Sequence, residues 1–211
     1  VPTHLERYEA MSDKDSGVVF LSQSTGSPHT AAIAEALVED DLGAIPLSWY
    51  SGWPDPAFGQ NVFESYTNYC YEAMNGVDWL ASNVVEGDTK LAVISYPGEY
   101  GQDGATGAKM AAEALGIEVV YDGEGAAIPG ADQTPVIAGL VESGANLVWA
   151  TVGPGVFAEI FGGAAAQGFM PVWSGNSPTY NYMLLATPLA PALDAVYYQS
   201  SYVPTWNTGG S

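Results

Sequence analysis

Residues 90–121 read KLAVISYPGEYGQDGATGAKMAAEALGIEVVY, and this stretch decides the fold class. An apolar run at 91–95 is followed by a glycine-bearing polar turn, a helical pattern that ends at Gly116, and a second apolar run at 117–121. Continuous Val, Ile and Leu runs are typical of parallel strands that are buried on both faces. The stretch therefore predicts one βαβ unit. The turn at the carboxyl end of its first strand is where α/β proteins bind ligands.

The same alternation of strand and helix patterns runs along the rest of the chain. Strands are predicted at 18–22, 44–48, 91–95, 117–121, 146–151, 170–174 and 195–198. Helices are predicted at 30–38, 64–82, 103–115, 132–142 and 155–167. Regular alternation on this scale predicts an α/β fold of parallel sheets flanked by helices.

One segment interrupts the alternation and suggests the domain organisation. Residues 49–61 carry two prolines, two glycines and two tryptophans between a strand and a long helix, which indicates a structured loop and a crossover between lobes. We therefore expect a partial lobe one at 1–62, a lobe two at 63–198 and a crossover or tail at 199–211. Two strands are too few for a stable sheet, so we expect the natural chain to extend at both ends, or another chain to cover this edge.

Charge and composition exclude several classes of partner. Four Lys and Arg residues stand against 24 Asp and Glu residues, a formal net charge of −20, which disfavours nucleic acid and anionic membrane surfaces. At 47% hydrophobic and 13% charged residues, the chain is typical of a folded globular protein. No apolar run approaches the roughly 20 residues that a membrane-spanning helix needs, so no direct membrane insertion is expected.

Residues that could carry catalysis or bind metal are sparse. Cys70 is the sole cysteine, which excludes an intramolecular disulfide, and its helical context predicts a buried, inert thiol. His4 and His29 are interpreted as isolated surface or capping residues rather than ligands. Glu99 and Asp103 flank a predicted helix start, where the helix dipole favours acids. We therefore expect no catalytic residues, no metal and no cofactor.

Four motifs together carry a family resemblance. They are SQSTGSPHTAAI at 22–33, IPLS at 45–48, SYPGEYGQDG at 95–104 and GANLV at 144–148. In this order and spacing they resemble type I periplasmic solute-binding proteins, and most of all the branched-chain amino acid (Leu/Ile/Val) binding components of ABC importers. The resemblance implies a two-lobed type I fold with lobe one incomplete in this chain, since family proteins are considerably longer.

The same resemblance implies a function and a location. The protein would clamp a small-molecule solute between two lobes and deliver it to the membrane permease of an ABC importer. It would be periplasmic or extracellular, with a lipid anchor if a preceding segment carries the signal. A sensory or regulatory domain of the same fold is the alternative, and an α/β enzyme is a third reading.

The resemblance also implies the ligand contacts. In lobe one, Ser24 and Thr25 would hold a ligand carboxylate together with the helix that starts near Ser27, because helix amino termini bind anions. An alternative interpretation of Ser27 is that of an N-cap before Pro28. The other implied contacts are Tyr50, Ser51, Gly52, Tyr100, Gly153 and Asn176. Trp49, Tyr50 and Trp53 would either line an aromatic cleft or pack in the core.

Asn176 predicts the chemistry of the solute. Amino acid binders of the family usually carry an acid near this position, to pair with the ligand ammonium. An amide cannot offset a buried positive charge, so we expect a carboxylate or amide solute without an essential free ammonium. The nearby acids Asp122 and Glu124 are the alternative partners for an ammonium.

Overall fold

In the computed structural model, which describes residues 2–13, 16–58 and 60–199, the chain divides into two units, Val1–Asn68 and Tyr69–Ser211. The first unit is built on two parallel strands, β1 (Phe20–Thr25) and β2 (Gly43–Leu47). Their register pairs Phe20 with Gly43 and Thr25 with Leu47, so both strands end at the same edge. The helices of this unit are α1 (Pro2–Met11) and α2 (Ser27–Glu39), with a 3-10 turn at Pro56–Phe58.

A small core holds the first unit together. It contains Ile33 and Leu37 from α2, Ala44 from β2, Tyr8 from α1, and Trp53 from the loop after β2. All five are at most 2% exposed. The tryptophan is fixed as well as buried, because its Nε1 donates a hydrogen bond to the Ser48 carbonyl at 2.8 Å.

The second unit contains a four-stranded parallel sheet in the order β4-β3-β5-β6. Its strands are β3 (Lys90–Ser95), β4 (Glu118–Gly123), β5 (Leu147–Thr151) and β6 (Val172–Gly175). Its helices are α3 (Tyr69–Asn83), α4 (Glu99–Leu115), α5 (Thr134–Ser143), α6 (Pro154–Ala165) and α7 (Ala190–Val196), with 3-10 turns at Ser177–Thr179 and Tyr182–Ala186. The predicted βαβ unit is confirmed as β3, α4 and β4.

The central strands of this sheet are apolar throughout because helices cover both of their faces. Val148 and Ala150 of β5 belong to a core cluster with residues of α5 and α6, such as Phe157. The alternate residues Leu147 and Trp149 belong to a second cluster with residues of α3 and α4. Side chains of successive strand residues point to opposite faces, so a strand in this position needs apolar residues at every place.

Most predicted elements are confirmed, with ends that differ by a few residues. The helix predicted at 64–82 begins at Tyr69, and the strand predicted at 18–22 spans Phe20–Thr25. The strand predicted at 195–198 is wrong, since α7 continues to Val196 and Tyr197 forms one isolated bridge with Trp173. Residues 200–211 of the predicted tail lie outside the described residues.

In the described part of the chain, none of the helices is both long enough and apolar enough to span a bilayer.

Candidate functional site

In the first unit, the amino terminus of α2 lies at the carboxyl end of β1. Gly26 is the N-cap, with φ 93°, and among the described residues no side chain caps the helix there. Ser27 is the first helical residue, so its interpretation as the N-cap is wrong. Pro28 has no N–H group, and the N–H groups of His29 and Thr30 donate to the Gly26 carbonyl at 3.1 and 2.9 Å. This end of α2 therefore offers an anion the Ser27 N–H group and the positive end of the helix dipole.

Two buried hydroxyl groups lie at this same edge of the sheet. Ser27 and Ser48 are each 2% exposed, and neither Oγ atom has a hydrogen-bond partner within the described residues. Ser48 directly follows Leu47, the register partner of Thr25, so it lies beside the turn that begins α2. Buried polar atoms are normally paired, so a ligand group or an ordered water would satisfy these two hydroxyls. Ser48 belongs to the IPLS motif of the family resemblance, but it is not among the contacts that the resemblance implies.

The two residues expected to hold a carboxylate have different surroundings. Ser24 is 2% exposed, and its hydroxyl is hydrogen-bonded to the Thr30 hydroxyl at 2.8 Å. Thr25 is exposed at the end of β1. Ser24 therefore ties β1 to the first turn of α2, whereas Thr25 presents its side chain to solvent.

The turn after β2 is held by aromatic packing. The ring of Tyr50 packs edge-on against Trp53 and Phe58, with centroid distances of 5.3 and 6.1 Å. Gly52 lies directly against the Tyr50 ring, where a Cβ atom would clash. Ser51 is exposed beside it. The predicted contacts Tyr50, Ser51 and Gly52 thus lie in one turn, and Tyr50 and Trp53 pack with the core of this unit.

In the second unit, tyrosines cluster at the carboxyl ends of β3 and β5. The Tyr100 ring lies edge-on to Tyr69 at 4.7 Å and to Tyr96 at 6.2 Å. Its hydroxyl donates to the Val152 carbonyl at 3.2 Å, and burial raises its pKa well above the usual value. Gly153 is the N-cap of α6 and lies close to the Tyr96 hydroxyl. The structure therefore brings the predicted contacts Tyr100 and Gly153 together.

Asn176 is buried against α4, next to the backbone of Tyr69. It is 0% exposed, and Gly104 of α4 packs directly on its carboxamide oxygen. That oxygen accepts hydrogen bonds from Trp149 Nε1 at 3.2 Å and Thr151 Oγ1 at 2.8 Å. The amide nitrogen donates to the Tyr69 carbonyl at 2.9 Å and to Glu72 at 2.8 Å. Both ends of the amide are thus used in holding the protein together.

Glu72, which the sequence analysis did not single out, is a buried acid beside Asn176. It projects from the first turn of α3 and is 3% exposed. Besides Asn176 Nδ2, it accepts the Ser177 backbone N–H at 2.9 Å and the Ser177 hydroxyl at 2.5 Å. An acid therefore does stand next to Asn176, although it comes from a helix more than a hundred residues earlier in the chain.

The alternative acids Asp122 and Glu124 are engaged elsewhere. Both form ion pairs with Lys109 on the surface, at 3.1 and 2.5 Å. Cys70 is buried as predicted, and burial raises its pKa. Its backbone N–H donates to Asp103, which is itself buried on α4. Asp103 thus caps α3 from a neighbouring helix.

The interpretation of the two histidines as isolated residues is wrong. His4 and His29 pack against each other with ring centroids 5.3 Å apart. Within the described part of the chain, no group of three or more His, Cys, Asp or Glu side chains is arranged to hold a metal ion.

Solved structures show where the fold belongs. A fatty acid ABC transporter substrate-binding protein from Thermomonospora curvata matches with a TM-score of 0.82 and 25% identity, over 94% of this chain and 49% of that one. A branched chain amino acid ABC transporter protein from Thermus thermophilus, with bound valine, matches at TM-score 0.72 and 20% identity, over 88% and 47%. A solute binding protein from R. palustris in complex with 4-hydroxybenzoate matches at 0.75 and 15%, over 88% and 50%.

The chain spans about half the length of these solved structures. No curated protein matches it. The family model described as periplasmic binding protein matches residues 2–210, which is nearly the whole chain. Together with the parallel sheets and flanking helices, this match confirms the resemblance found in the sequence: the chain belongs to the periplasmic binding protein family and has its type I fold.

Proposed function

We propose that this chain is part of an extracytoplasmic solute-binding protein of an ABC importer, and that it binds the carboxylate group of a small solute in its first unit. One observation carries the proposal. The unpartnered hydroxyls of Ser27 and Ser48 lie at the edge where the uncapped amino terminus of α2 begins. Hydroxyl and backbone N–H donors at a helix amino terminus bind an anion without a formal cation.

The relatives support a carboxylate as the shared chemical group. One of them belongs to a fatty acid transporter, one has valine bound, and one has 4-hydroxybenzoate bound. These compounds differ in size, polarity and aromatic character, but each carries a carboxylate. A site made of neutral donors suits this protein, because its sequence contains only four Lys and Arg residues that could pair with an anion.

The other end of the solute is expected to lack an essential ammonium group. Glu72 is the buried acid nearest to Asn176, and it already accepts hydrogen bonds from Asn176 and from Ser177. A buried ammonium needs a carboxylate that is available to it. A carboxylate or amide solute with a neutral body therefore fits these surroundings better than a free amino acid.

The second unit is expected to contribute Tyr100 and Gly153. Their cluster of tyrosine rings offers apolar faces at the carboxyl ends of β3 and β5, where α/β proteins bind ligands. Asn176 would act beneath this surface, by holding Glu72 and the first turn of α3 in place. Delivery to a membrane permease is part of the same proposal, and a lipid anchor would be added if a preceding segment carries the signal for it.

The test is a binding panel on the purified chain. Thermal shift and calorimetry would compare leucine and valine with their keto and hydroxy analogues, 4-hydroxybenzoate and a medium-chain fatty acid. We expect stabilisation by carboxylates that lack an ammonium. Tight binding of free leucine, absent for its deaminated analogues, would contradict the ligand class.

Two further measurements test the transport function independently of the proposed ligand class. Mass spectrometry of the protein under native conditions would identify any small molecule that copurifies. A broad hydrolase and transferase screen addresses the enzyme alternative, and turnover of any substrate in it would contradict a transport role.

A further inference from the structure

The two histidines of the chain form a pair between α1 and α2. His4 lies in the first turn of α1 and His29 in the first turn of α2. The ring centroids are 5.3 Å apart and the planes are inclined at 69°. Both belong to the first unit, so the pair does not depend on how the two units are arranged.

Each ring has a buried nitrogen that nothing satisfies. His4 Nε2 and His29 Nδ1 are shielded from solvent, and neither finds a hydrogen-bond partner in the residues that the structure describes. Leaving a buried polar atom unpaired costs free energy, so two of them in adjacent rings indicate a missing ligand or an ordered water. The His29 ring also lies close over Gly26, where a Cβ atom would come within 2.6 Å of Nδ1.

The separation of the rings suits one shared metal ion. Zinc–imidazole bonds are about 2.0–2.1 Å long, so two imidazoles on one tetrahedral ion place their ring centroids roughly 5 Å apart. Imidazole is a ligand of choice for Zn²⁺, Cu²⁺ and Ni²⁺.

We propose that His4 and His29 form a two-imidazole site for a divalent transition metal of this class. Water completes the coordination of the ion. Binding would join the first turn of α1 to the first turn of α2. The protein's negative charge favours the approach of any cation, whereas Arg7, one turn further along α1, opposes it locally.

The test uses the untagged chain, stripped of metal, because an affinity tag of histidines would mask the site. Titration with zinc chloride or copper sulfate should raise the melting temperature progressively with metal concentration, since a ligand of the folded state stabilises it. The gain should disappear on acidification, as the imidazoles take up protons. His4→Gln and His29→Gln should each abolish most of the shift.

Two controls make the outcome specific. Cys70→Ala removes the other soft ligand of the chain and should leave the metal-induced shift unchanged. In the unaltered protein, electron paramagnetic resonance with Cu²⁺ should show coupling to imidazole nitrogens, and this measurement does not depend on a variant that folds. The absence of a metal-induced shift, or its persistence in either glutamine variant, would overturn the proposal in favour of a buried water between the rings.

Discussion

Glu72 accepts a hydrogen bond from the amide of Asn176 at 2.8 Å, across a separation of 104 residues in the sequence. The contact joins the first turn of α3 to the turn after β6. Ser177 completes it with two more hydrogen bonds to the same carboxylate. A charged group buried to this degree is stable only when such donors surround it, so the amide at position 176 is required by Glu72.

Asn176→Asp should destabilise the fold by about 3 kcal/mol or more. The change removes both amide N–H donors and sets a second carboxylate against Glu72, and two buried carboxylates at this distance cannot both be ionised. One of them must hold a proton that the unfolded chain releases, so the stability of the variant should fall further as the pH rises from about 5 to about 8. Urea denaturation at several pH values measures both effects.

Asn181→Asp is the matched control for this substitution. Asn181 is exposed, and its side-chain oxygen accepts the Met183 N–H, which an aspartate accepts equally well. It should leave stability nearly unchanged. If Asn176→Asp were equally mild, then the hydrogen bonds between Asn176 and Glu72 would contribute little to the fold.

Gly104→Ala should destabilise the second unit by about 1–3 kcal/mol, as overpacking usually does. A methyl group there would overlap with Asn176 Oδ1 and Thr151 Oγ1, which are hydrogen-bonded to each other and buried. Gly155→Ala is the control, because a Cβ atom on Gly155 of α6 would meet open space and alanine favours a helix. Thermal melts should show a loss for the first variant and none for the second.

Ser24→Ala and Ser27→Ala should differ in their effects on stability and on solute binding. The first loses the hydrogen bond to Thr30 and should cost about 1 kcal/mol of stability. The second removes a hydroxyl that is buried without a partner in the described structure, so stability should hold or rise. If the carboxylate site is as proposed, Ser27→Ala should nevertheless weaken solute binding by about tenfold.

Denaturation and calorimetry with the best ligand of the panel would measure the two effects separately. Unaltered affinity in Ser27→Ala would remove this residue from the site. Weakened affinity in Ser24→Ala at unchanged stability would instead restore Ser24 as a direct contact, as the family resemblance implies.

Tyr8 should make the first unit sensitive to alkaline pH. Burial and a 2.8 Å hydrogen bond to Asp40 raise the pKa of Tyr8 to about 12. The folded state favours the protonated phenol. The stabilisation that Tyr8 provides is therefore present in full below a pH of about 10 and is lost as the pH rises toward about 12. Tyr8→Phe should cost about 1 kcal/mol at neutral pH, and its deficit should shrink in alkali. Tyr182→Phe, at a position 76% exposed, should match the unaltered protein at every pH.

The sequence patterns predicted the secondary structure correctly where hydrophobic burial alone determines whether a segment forms a strand or a helix. β3 and β5 are central and apolar on both faces, so they could be predicted as strands from their local sequence. The strand prediction for residues 195–198 is wrong. Val and aromatic residues favour a strand, but Leu193 packs in the core and α7 continues through Val196. Tertiary packing overrides such weak local preferences.

The candidate site was harder to predict because it depends on pairings between distant segments. Nothing in the sequence near Glu72 indicates that Asn176 and Ser177 surround it. The same holds for His4 and His29, which look isolated in the sequence and become neighbours when α1 packs on α2. A serine at the end of a strand, such as Ser48, is common, and only its surroundings in the fold show that its hydroxyl is buried and unpaired.

The two units should differ in their ability to fold alone. The second has a four-stranded sheet with a core cluster on each face, whereas the first has two strands and one small cluster. Two-stranded sheets are only marginally stable without further support. In the described structure β1 and β2 pair only with each other, so each strand has one unpaired edge. A fragment of residues 69–199 should therefore melt cooperatively as a monomer, and a fragment of residues 1–68 should not. Calorimetry on the two fragments would measure the cooperativity of melting, and light scattering would measure their oligomeric state. A monodisperse, cooperatively melting monomer from residues 1–68 would show that this unit needs no other polypeptide to cover its sheet.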